Sequence, residues 1–520
     1  MTVITAAATR PEPFAGFGDE AALDLDLASA RVASQVMARL LSPDFEDWSN
    51  AVARVGSCAN PIHLTGSSMR VDASTGEVLS TYSSDTEPLG TTLIRCGNRR
   101  ASECPSCSRV YAADMFHLIK AGVAGGKGVP KRVGENPLVF ATVTAPSFGH
   151  VHGMRDNGRR CRPHAKTPRC EHGRSTTCHQ KHDDGDELLG QPLCWECYDY
   201  ASHIVWQWWA PELWRRFNIA IKRTLAHRLR VKESRLKHLA SVQYSKVAEY
   251  QRRGLIHFHA LVRLDGAKAD EPFAAAPDGV TAELLAEVVE EAVRSVRFTA
   301  PPVFAGDVPR VLTFGAQVDS RPVKVGHRTD DPAGPLNAEQ VAGYLAKYST
   351  KSATDTTTGE QSNSHLSRIQ AVAAEFATLV EDEWVADRML CALKELPYGL
   401  LGKWHTALGF RGHFATKSRR YSVTLGALRR ARRRAQVLIA DPQRTGIPVD
   451  LASMEAQLLA DDEDETTLVV GSWSFVGTGW DTEGDVALAR AAAARAREYA
   501  QHRAGQKRAK ASDETRRDDQ

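Results

Sequence analysis

Two short motifs contain residue types that together could cleave a phosphodiester bond. The first is a histidine–phenylalanine–histidine triplet at residues 257–259. Side chains alternate between the two faces of a β-strand, so both imidazoles would point the same way while the phenylalanine points into a core. The second motif contains Tyr344, Lys347 and Tyr348, which share one face of a helix because they lie three and four residues apart. The sequence therefore predicts a pair of metal ligands and, separately, two phenolic nucleophiles beside a cation.

The segment that leads into the triplet offers a third metal ligand. It predicts a strand, a turn at Gly254 and a second strand. This hairpin would bring Glu249 or Gln251 back beside His257 and His259. Two histidines and one oxygen ligand leave coordination positions open, which suits a divalent cation that polarises a phosphate. We therefore predict a catalytic site for Mg²⁺ or Mn²⁺.

Each motif also has an ordinary structural interpretation. Two histidines in a strand are often part of a core edge or of a structural zinc site, and the tyrosine motif alone is typical of an amphipathic surface helix. The hairpin before the histidines and the cation between the tyrosines favour the catalytic interpretation.

Composition limits the class of protein. A chain of 520 residues is long enough for roughly two to four domains. The N-terminus lacks the pattern of a secretory signal, and no apolar run approaches membrane-spanning length. We therefore expect a cytoplasmic protein without a membrane partner. In that compartment the ten cysteines favour metal binding over disulfides.

Two groups of cysteines predict structural zinc. In the first group, Cys104 and Cys107 form a CxxC knuckle, Cys96 lies nearby, and Cys58 is the candidate fourth ligand.

The second group lies between residues 161 and 197 and is mixed with histidines. Here Cys194 and Cys197 would be joined by Cys178 and by either Cys170 or a nearby histidine. The sequence does not decide whether this group binds one zinc ion or two. This insert has few apolar residues, so bound metal would supply the folding energy that a core cannot.

The hydrophobic pattern predicts the following elements: strands at 137–144 and 311–318, an antiparallel pair at 238–250 and 255–264, helices at 198–230 and 281–297, and the tyrosine helix at 335–349 with Asn337 as its N-cap. Hairpins and irregular alternation favour an α+β fold with a central antiparallel sheet. We expect these regions: a disordered N-terminus (1–18), an N-terminal region with a zinc site (19–136), a catalytic core (137–352) with a zinc-binding insert (158–200), a helical and basic region (365–440), a C-terminal region (441–504) and a disordered tail (505–520).

A basic segment follows the predicted core. It combines Arg411, Lys417, Arg419 and Arg420 with a run of arginines at 429–434 and contains no acidic residue. Its aromatic residues, Phe410, Phe414 and Tyr421, could stack on bases while the cations hold phosphates. The alternative is that these aromatics belong to a core and that the arginines only solvate a helix. The absence of acidic partners favours DNA contact.

The histidine and tyrosine motifs resemble those of the HUH-type rolling-circle replication initiators. More specifically, the chain resembles the RepSA-like initiators of actinobacterial plasmids and integrative elements. The segments that carry the resemblance are 96–100, 104–108, 140–149, 192–200, 257–259, 344–351, 409–413 and 416–421. The resemblance implies a ferredoxin-like HUH endonuclease core with a helical C-terminal region. It also implies that His257 and His259 bind the catalytic metal and that Tyr344 is the primary nucleophile. Some families of this type use only the first tyrosine and others use both, so the motif leaves open whether Tyr348 takes part.

By this resemblance the protein nicks plasmid origin DNA that is single-stranded at the nick site. The products would be a 5′-phosphotyrosine and a free 3′-OH primer, used with a host helicase and polymerase. One alternative is an HUH relaxase or transposase, which the order of the motifs and the two histidines disfavour. The other is a non-enzymatic zinc-containing DNA-binding regulator, which a nicking assay would distinguish.

Overall fold

The computed structural model describes residues 29–155, 158–269, 271–324, 336–350, 364–386, 392–445, 458 and 467–518. The chain divides into two units. One unit combines Met1–Ala112 with Glu455–Gln520, and the other is Ala113–Met454. The N-terminal region predicted to be disordered, residues 1–18, lies outside the described residues.

The described helices are α1 Ala30–Leu40, α2 Phe45–Arg54, α3 Pro105–Ala124, α4 Tyr200–Arg228, α5 Glu233–Leu236, α6 Ala282–Ser295, α7 Ala338–Tyr348, α8 Ser364–Ala386, α9 Leu401–Trp404, α10 Leu425–Thr445 and α11 Glu483–Asp518. The strands are β1 Ile62–Asp72, β2 Val78–Ser83, β3 Thr92–Ile94, β4 Leu138–Val143, β5 Ser241–Tyr250, β6 Ile256–Asp265, β7 Phe298–Ala300, β8 Arg310–Leu312, β9 Val318–Lys324, β10 Leu336–Asn337, β11 Ala415–Lys417 and β12 Thr467–Thr478.

The larger unit is built on a six-stranded sheet with the order β10-β9-β4-β6-β5-β11. Its pairings are antiparallel except for the parallel pair of β10 and β9. The predicted strand at 137–144 and the predicted pair before and after Gly254 are confirmed as β4, β5 and β6. The expected α+β class with a central antiparallel sheet is therefore confirmed.

One face of this sheet is covered by the tryptophan-rich helix α4. Trp206, Trp208 and Phe217 are buried there with Phe258 of β6. Because successive residues of β6 point to opposite faces, the burial of Phe258 in this core fixes His257 and His259 on the other face. The core thus determines where the two histidines point.

The smaller unit joins distant parts of the chain. Strand β1 pairs along its whole length with β12, about 400 residues later, and α1 packs near α11 through a core that contains Val36, Trp48 and Leu488. Arg39 forms an ion pair with the buried Asp485 at 2.7 Å. Sequence patterns did not indicate this pairing.

Two element predictions differ from the structure. The stretch 311–318 is not one strand, because β8 ends at Leu312 and β9 begins at Val318. Between them Gly315 lies so close to the backbone of Ala145 that a Cβ atom would contact its carbonyl oxygen at 2.5 Å. Helix α11 continues to Asp518, through the stretch for which a disordered tail was predicted. Alanine, arginine, lysine and glutamate in this stretch are strong helix formers.

A buried ion pair links β6 to other parts of the larger unit. Arg263 at the end of β6 is fully buried, and its Nε lies 2.6 Å from an oxygen of Asp265. The guanidinium also donates to the carbonyl oxygens of Gly122 and Tyr421. Asp265→Ala should therefore destabilise the protein by about 3–5 kcal/mol, because it leaves a buried charge without its partner. Urea unfolding would measure the loss, and an unchanged unfolding midpoint would contradict it.

Within the described residues, no helix combines the length and the apolar character that a membrane span requires.

Candidate active site and metal clusters

The hairpin of β5 and β6 brings the three predicted ligands together. Glu249 stands directly opposite His257 in the strand register. Its Oε2 atom lies 3.0 Å from Nε2 of His257 and 3.1 Å from Nε2 of His259. Gly254 makes the turn with a φ of +79°, a conformation that other residues rarely adopt. The other candidate oxygen ligand, Gln251, instead accepts a hydrogen bond from Arg253 at 2.9 Å.

This donor set fits a divalent cation. The three ligand atoms lie within 4.8 Å of one another. Nδ1 of His259 lies 3.0 Å from Oγ1 of Thr142 on the neighbouring strand β4. A hydrogen bond at Nδ1 leaves Nε2 as the ligand atom, and such partners orient metal-binding histidines. Phe140 stacks parallel to the His259 ring at 5.6 Å and holds its plane.

The ionisation of these groups follows from their burial and their contacts. Burial acts to raise the pKa of Glu249, but hydrogen bonds from His257 and His259 outweigh it, so the pKa lies below its usual value. Burial lowers the pKa of His259. The site therefore favours a carboxylate beside a neutral imidazole, which are the forms that bind metal.

The tyrosine helix α7 packs beside this cluster. Asn337 caps it as predicted, because its Oδ1 accepts hydrogen bonds from the backbone N–H of Glu339 and Gln340. The hydroxyl of Tyr344 lies 3.1 Å from Nε2 of His259. The Tyr348 ring lies 4.4 Å from the Tyr344 ring, centroid to centroid. The histidine motif on β6 and the tyrosine motif on α7 therefore lie in contact.

The surroundings of the tyrosines favour their protonated forms. Burial, followed by the Glu249 carboxylate, raises the pKa of both Tyr344 and Tyr348. Tyr344 is nevertheless 37% exposed, so its hydroxyl is accessible from outside the protein. Nζ of Lys347 is 5.9 Å from the centre of the Tyr348 ring. Lys347 therefore lies beside the second tyrosine.

Thr142 and Phe140 are supporting residues whose roles were not expected from the sequence. We predict that Thr142→Val, which keeps the shape of the side chain, lowers the affinity for Mn²⁺ by about 10–100-fold, because His259 loses its orienting partner. Isothermal titration with Mn²⁺ would show this shift in the dissociation constant. An unchanged affinity for Mn²⁺ would show that the Thr142 contact does not orient a ligand.

The first predicted cysteine group is assembled in the smaller unit. Sγ of Cys58 lies 3.8 Å from that of Cys104 and 3.7 Å from that of Cys107, and Cys96 joins them with all ligand atoms within 4.8 Å. The backbone N–H of Ala59 donates to Sγ of Cys104 at 3.3 Å. Four converging sulfurs fit a closed tetrahedral zinc site.

The second predicted group is divided differently from the prediction. Cys170, Cys194 and Cys197 converge with His172. Cys178 lies instead with Cys161 and two histidines in a separate cluster. The structure therefore does not bring Cys178 to Cys194 and Cys197, with which it was predicted to share a site, whereas Cys170 and a nearby histidine both join them. The reason is a backbone bridge between Cys178 and Arg162, which places Cys178 beside Cys161.

The basic segment is part of the fold of the larger unit. Strand β11 is an edge strand of the central sheet and pairs with β5. Phe410 and Tyr421 are fully buried, and Phe414 is partly buried against the main core. The expectation that these three aromatics stack on bases is therefore wrong, because they supply the core contacts of the segment.

Three of the four predicted phosphate ligands contact the protein. Arg411 stacks over Trp208 and Trp209 at 4.5 and 5.0 Å. Nζ of Lys417 donates to the carbonyl of Ser422 at 3.0 Å, and burial together with Arg263 lowers the pKa of Lys417 to about 8.

The remaining two predicted phosphate ligands are Arg420, whose guanidinium contacts the protein, and Arg419, whose side chain is exposed to solvent. Arg420 donates to the carbonyl of Lys268, whereas Arg419 is exposed. On α10, Arg429 and Arg433 are exposed, and Arg432 pairs with Asp114.

Comparisons with known proteins agree with the motifs. The family model RepSA, described as "Replication initiator protein, pSAM2", matches residues 44–494. The chain therefore belongs to the RepSA family of replication initiators. A replication initiator protein of Streptomyces ambofaciens is 39% identical over 454 residues, which cover 86% of this chain and 90% of that relative. No solved structure shows a significant match to this chain.

Proposed function

We propose that this protein is a rolling-circle replication initiator of the HUH type, which nicks plasmid origin DNA through a tyrosine nucleophile. The observation that carries the proposal is the meeting of the two motifs: the Tyr344 hydroxyl lies 3.1 Å from His259, within a cluster of three converging metal ligands. Membership in a family of replication initiators supports the biological role.

The residues divide the chemistry between them. Glu249, His257 and His259 would hold Mg²⁺ or Mn²⁺, which when bound draws charge from the scissile phosphate. The phenolic oxygen of Tyr344 attacks phosphorus, so the Oη–P bond forms while the P–O3′ bond breaks. The phenol loses its proton to solvent and the departing 3′ oxygen gains one. The products are a 5′-phosphotyrosine and a free 3′-OH.

The remaining residues of the site support this reaction. Lys347 is a cation on the same helical face and would stabilise the negative charge that develops near the tyrosines. Tyr348 stands next to Tyr344 and can take part in a second strand transfer. Because the tyrosyl ester conserves the energy of the cleaved bond, the same site can rejoin ends without ATP.

The test is a nicking assay. Supercoiled plasmid that carries the origin should be converted to the open circular form when Mg²⁺ or Mn²⁺ is present. A plasmid without the origin is the matched control and should remain supercoiled. DNA binding without any nicking in either metal would favour the non-enzymatic regulator instead.

We propose Zn²⁺ as the structural metal of two cysteine groups. One is Cys58, Cys96, Cys104 and Cys107, and the other is Cys170, His172, Cys194 and Cys197. Closed sites of four ligands leave no position for substrate, so these metals would stabilise the fold. Cys104→Ser or Cys194→Ser should lower both bound zinc and thermal stability. Purified protein without zinc by elemental analysis would contradict this assignment.

We propose that the partners of this protein are the origin DNA, a host helicase and a host polymerase. We further propose that Arg419 and the exposed arginines of α10 hold phosphates of duplex origin DNA. Replacing Arg419, Arg429 and Arg433 with alanine should weaken origin binding and reduce its salt dependence, by a slope of up to about 0.9 for each lost phosphate contact. Arg294→Ala is the matched control, because Arg294 is paired with Glu290 at 2.7 Å. If the folded triple variant shows the same salt dependence of origin binding as wild type, these arginines do not contact DNA and are only solvated surface residues.

A further inference from the structure

The insert before α4 contains a cluster of metal-binding side chains in addition to those already assigned. His152, Cys161, Cys178 and His182 converge, with their ligand atoms within 4.8 Å of one another. Nδ1 of His152 lies 3.2 Å from Nε2 of His182, and Sγ of Cys178 lies 3.4 Å from the same Nε2 atom. Cys161, Cys178 and His182 are buried. Two thiolates and two neutral imidazoles are a common ligand set for structural zinc.

The surroundings of the four side chains favour a bound cation. Nδ1 of His182 lies 2.5 Å from a carboxylate oxygen of Asp186. A carboxylate behind a histidine orients the other ring nitrogen toward a metal. The backbone N–H of Gly153 points at Sγ of Cys161 at 3.2 Å, as is expected for a thiolate acceptor. Two thiolates also neutralise the charge of Zn²⁺, which lowers the cost of burying it.

The insert lacks another source of stability. In its described part, 150–155 and 158–197, Leu189 is the only large apolar side chain that is buried, apart from the cysteines and Pro192. None of its residues belongs to the main core. A chain of this length without a core needs cross-links in order to stay ordered.

We propose that His152, Cys161, Cys178 and His182 form a structural zinc site, separate from the one at Cys170, His172, Cys194 and Cys197, and that it holds the insert against the turn between β5 and β6. This inference does not depend on the nicking reaction.

The contacts with the turn come from the segment that follows His182. Arg252 in the turn donates to Oδ1 of Asp184 at 2.9 Å. Gly190 packs against the turn so tightly that a Cβ atom would lie 2.5 Å from the carbonyl carbon and oxygen of Arg252. Glu249 and His257 stand on either side of this turn. The zinc site therefore fixes a support for the ends of the strands that carry the candidate active site.

The first test counts zinc by elemental analysis in the full-length protein and its variants. Cys161→Ala and the double variant Cys161→Ala/Cys178→Ala should each lose one zinc relative to wild type, because both residues belong to one site. The double variant Cys170→Ala/Cys178→Ala should lose two. Loss of only one zinc from the Cys170/Cys178 variant would overturn the two-site assignment. Full zinc content in the Cys161/Cys178 variant would overturn the new site itself.

A second variant keeps the proposal testable if the cysteine variants do not fold. Asp186→Asn retains all four ligands and should weaken the binding of one zinc by about 10–100-fold, seen as release to a chromogenic chelator. Hydrogen exchange should then speed up at the turn, where the amide of Gln251 is bonded to the carbonyl of Leu255 at 2.8 Å. Asp183→Asn is the matched control and should change neither result. Unchanged zinc release from the Asp186 variant would count against the site.

Discussion

Tyr344→Phe should abolish nicking and the covalent protein–DNA adduct while origin binding stays nearly unchanged. The substitution removes only the hydroxyl that lies 3.1 Å from His259. It keeps the ring that contacts Phe140 and Tyr348, so the fold should be preserved. Loss of the nucleophile should lower the nicking rate by about 10³-fold or more. The rate is measured on supercoiled origin plasmid and the adduct on denaturing gels.

Tyr348→Phe is the matched control for this experiment. It makes the same chemical change one helical turn later, and its ring centre lies 6.2 Å from that of His259. First cleavage should be retained, while termination or strand transfer should weaken. Full nicking by the Tyr344→Phe protein would transfer the role of primary nucleophile to Tyr348.

Loss of the proposed catalytic metal should have a similarly large effect on nicking without unfolding the protein. Gentle EDTA treatment should stop nicking, and added Mn²⁺ should restore it without a refolding step. Glu249→Ala should lower the rate by about 10²–10⁴-fold, which corresponds to the several kcal/mol that a metal contributes to charge stabilisation.

Gln251→Ala is the matched control for the metal ligand. It changes the other oxygen donor at the end of β5, and this side chain is bonded to Arg253 rather than to the histidines. Nicking should persist in the Gln251 variant. Equal losses of nicking rate in the two variants would contradict the assignment of Glu249, rather than Gln251, as the third metal ligand.

The parts of the site that could be predicted from the sequence depend on local periodicity. Alternation in β6 places His257 and His259 on one face, and the spacing of Tyr344 and Tyr348 places both on one side of α7. These patterns are set by backbone geometry alone. A short hairpin then determines which residues stand opposite the histidines. The sequence therefore predicted Glu249 as one of two candidates for the third metal ligand.

The parts that could not be predicted depend on contacts between distant segments. The pairing of β1 with β12 has no local signal, and a strand of three residues such as β11 is too short to show alternation. Phe410 and Tyr421 look the same in sequence whether they stack on a base or fill a core. A backbone bridge to Arg162 places Cys178 beside Cys161, and the spacing of the cysteines in the sequence does not reveal this bridge. Thr142 was not expected because its contact with His259 joins two neighbouring strands, β4 and β6, that are far apart in the sequence.

The most direct test of the proposed reaction is to determine which end of the cleaved strand becomes attached to the protein. A single-stranded origin oligonucleotide is labelled at its 5′ end in one sample and at its 3′ end in another, and is incubated with protein and Mn²⁺. We predict that the 3′ label migrates with the protein on a denaturing gel and that the attached peptide contains Tyr344. The 5′-labelled fragment should run free and, once a complementary template strand is annealed, be extended by a polymerase from its 3′-OH. A 5′ label on the protein, or cleavage without any adduct, would contradict the tyrosine mechanism.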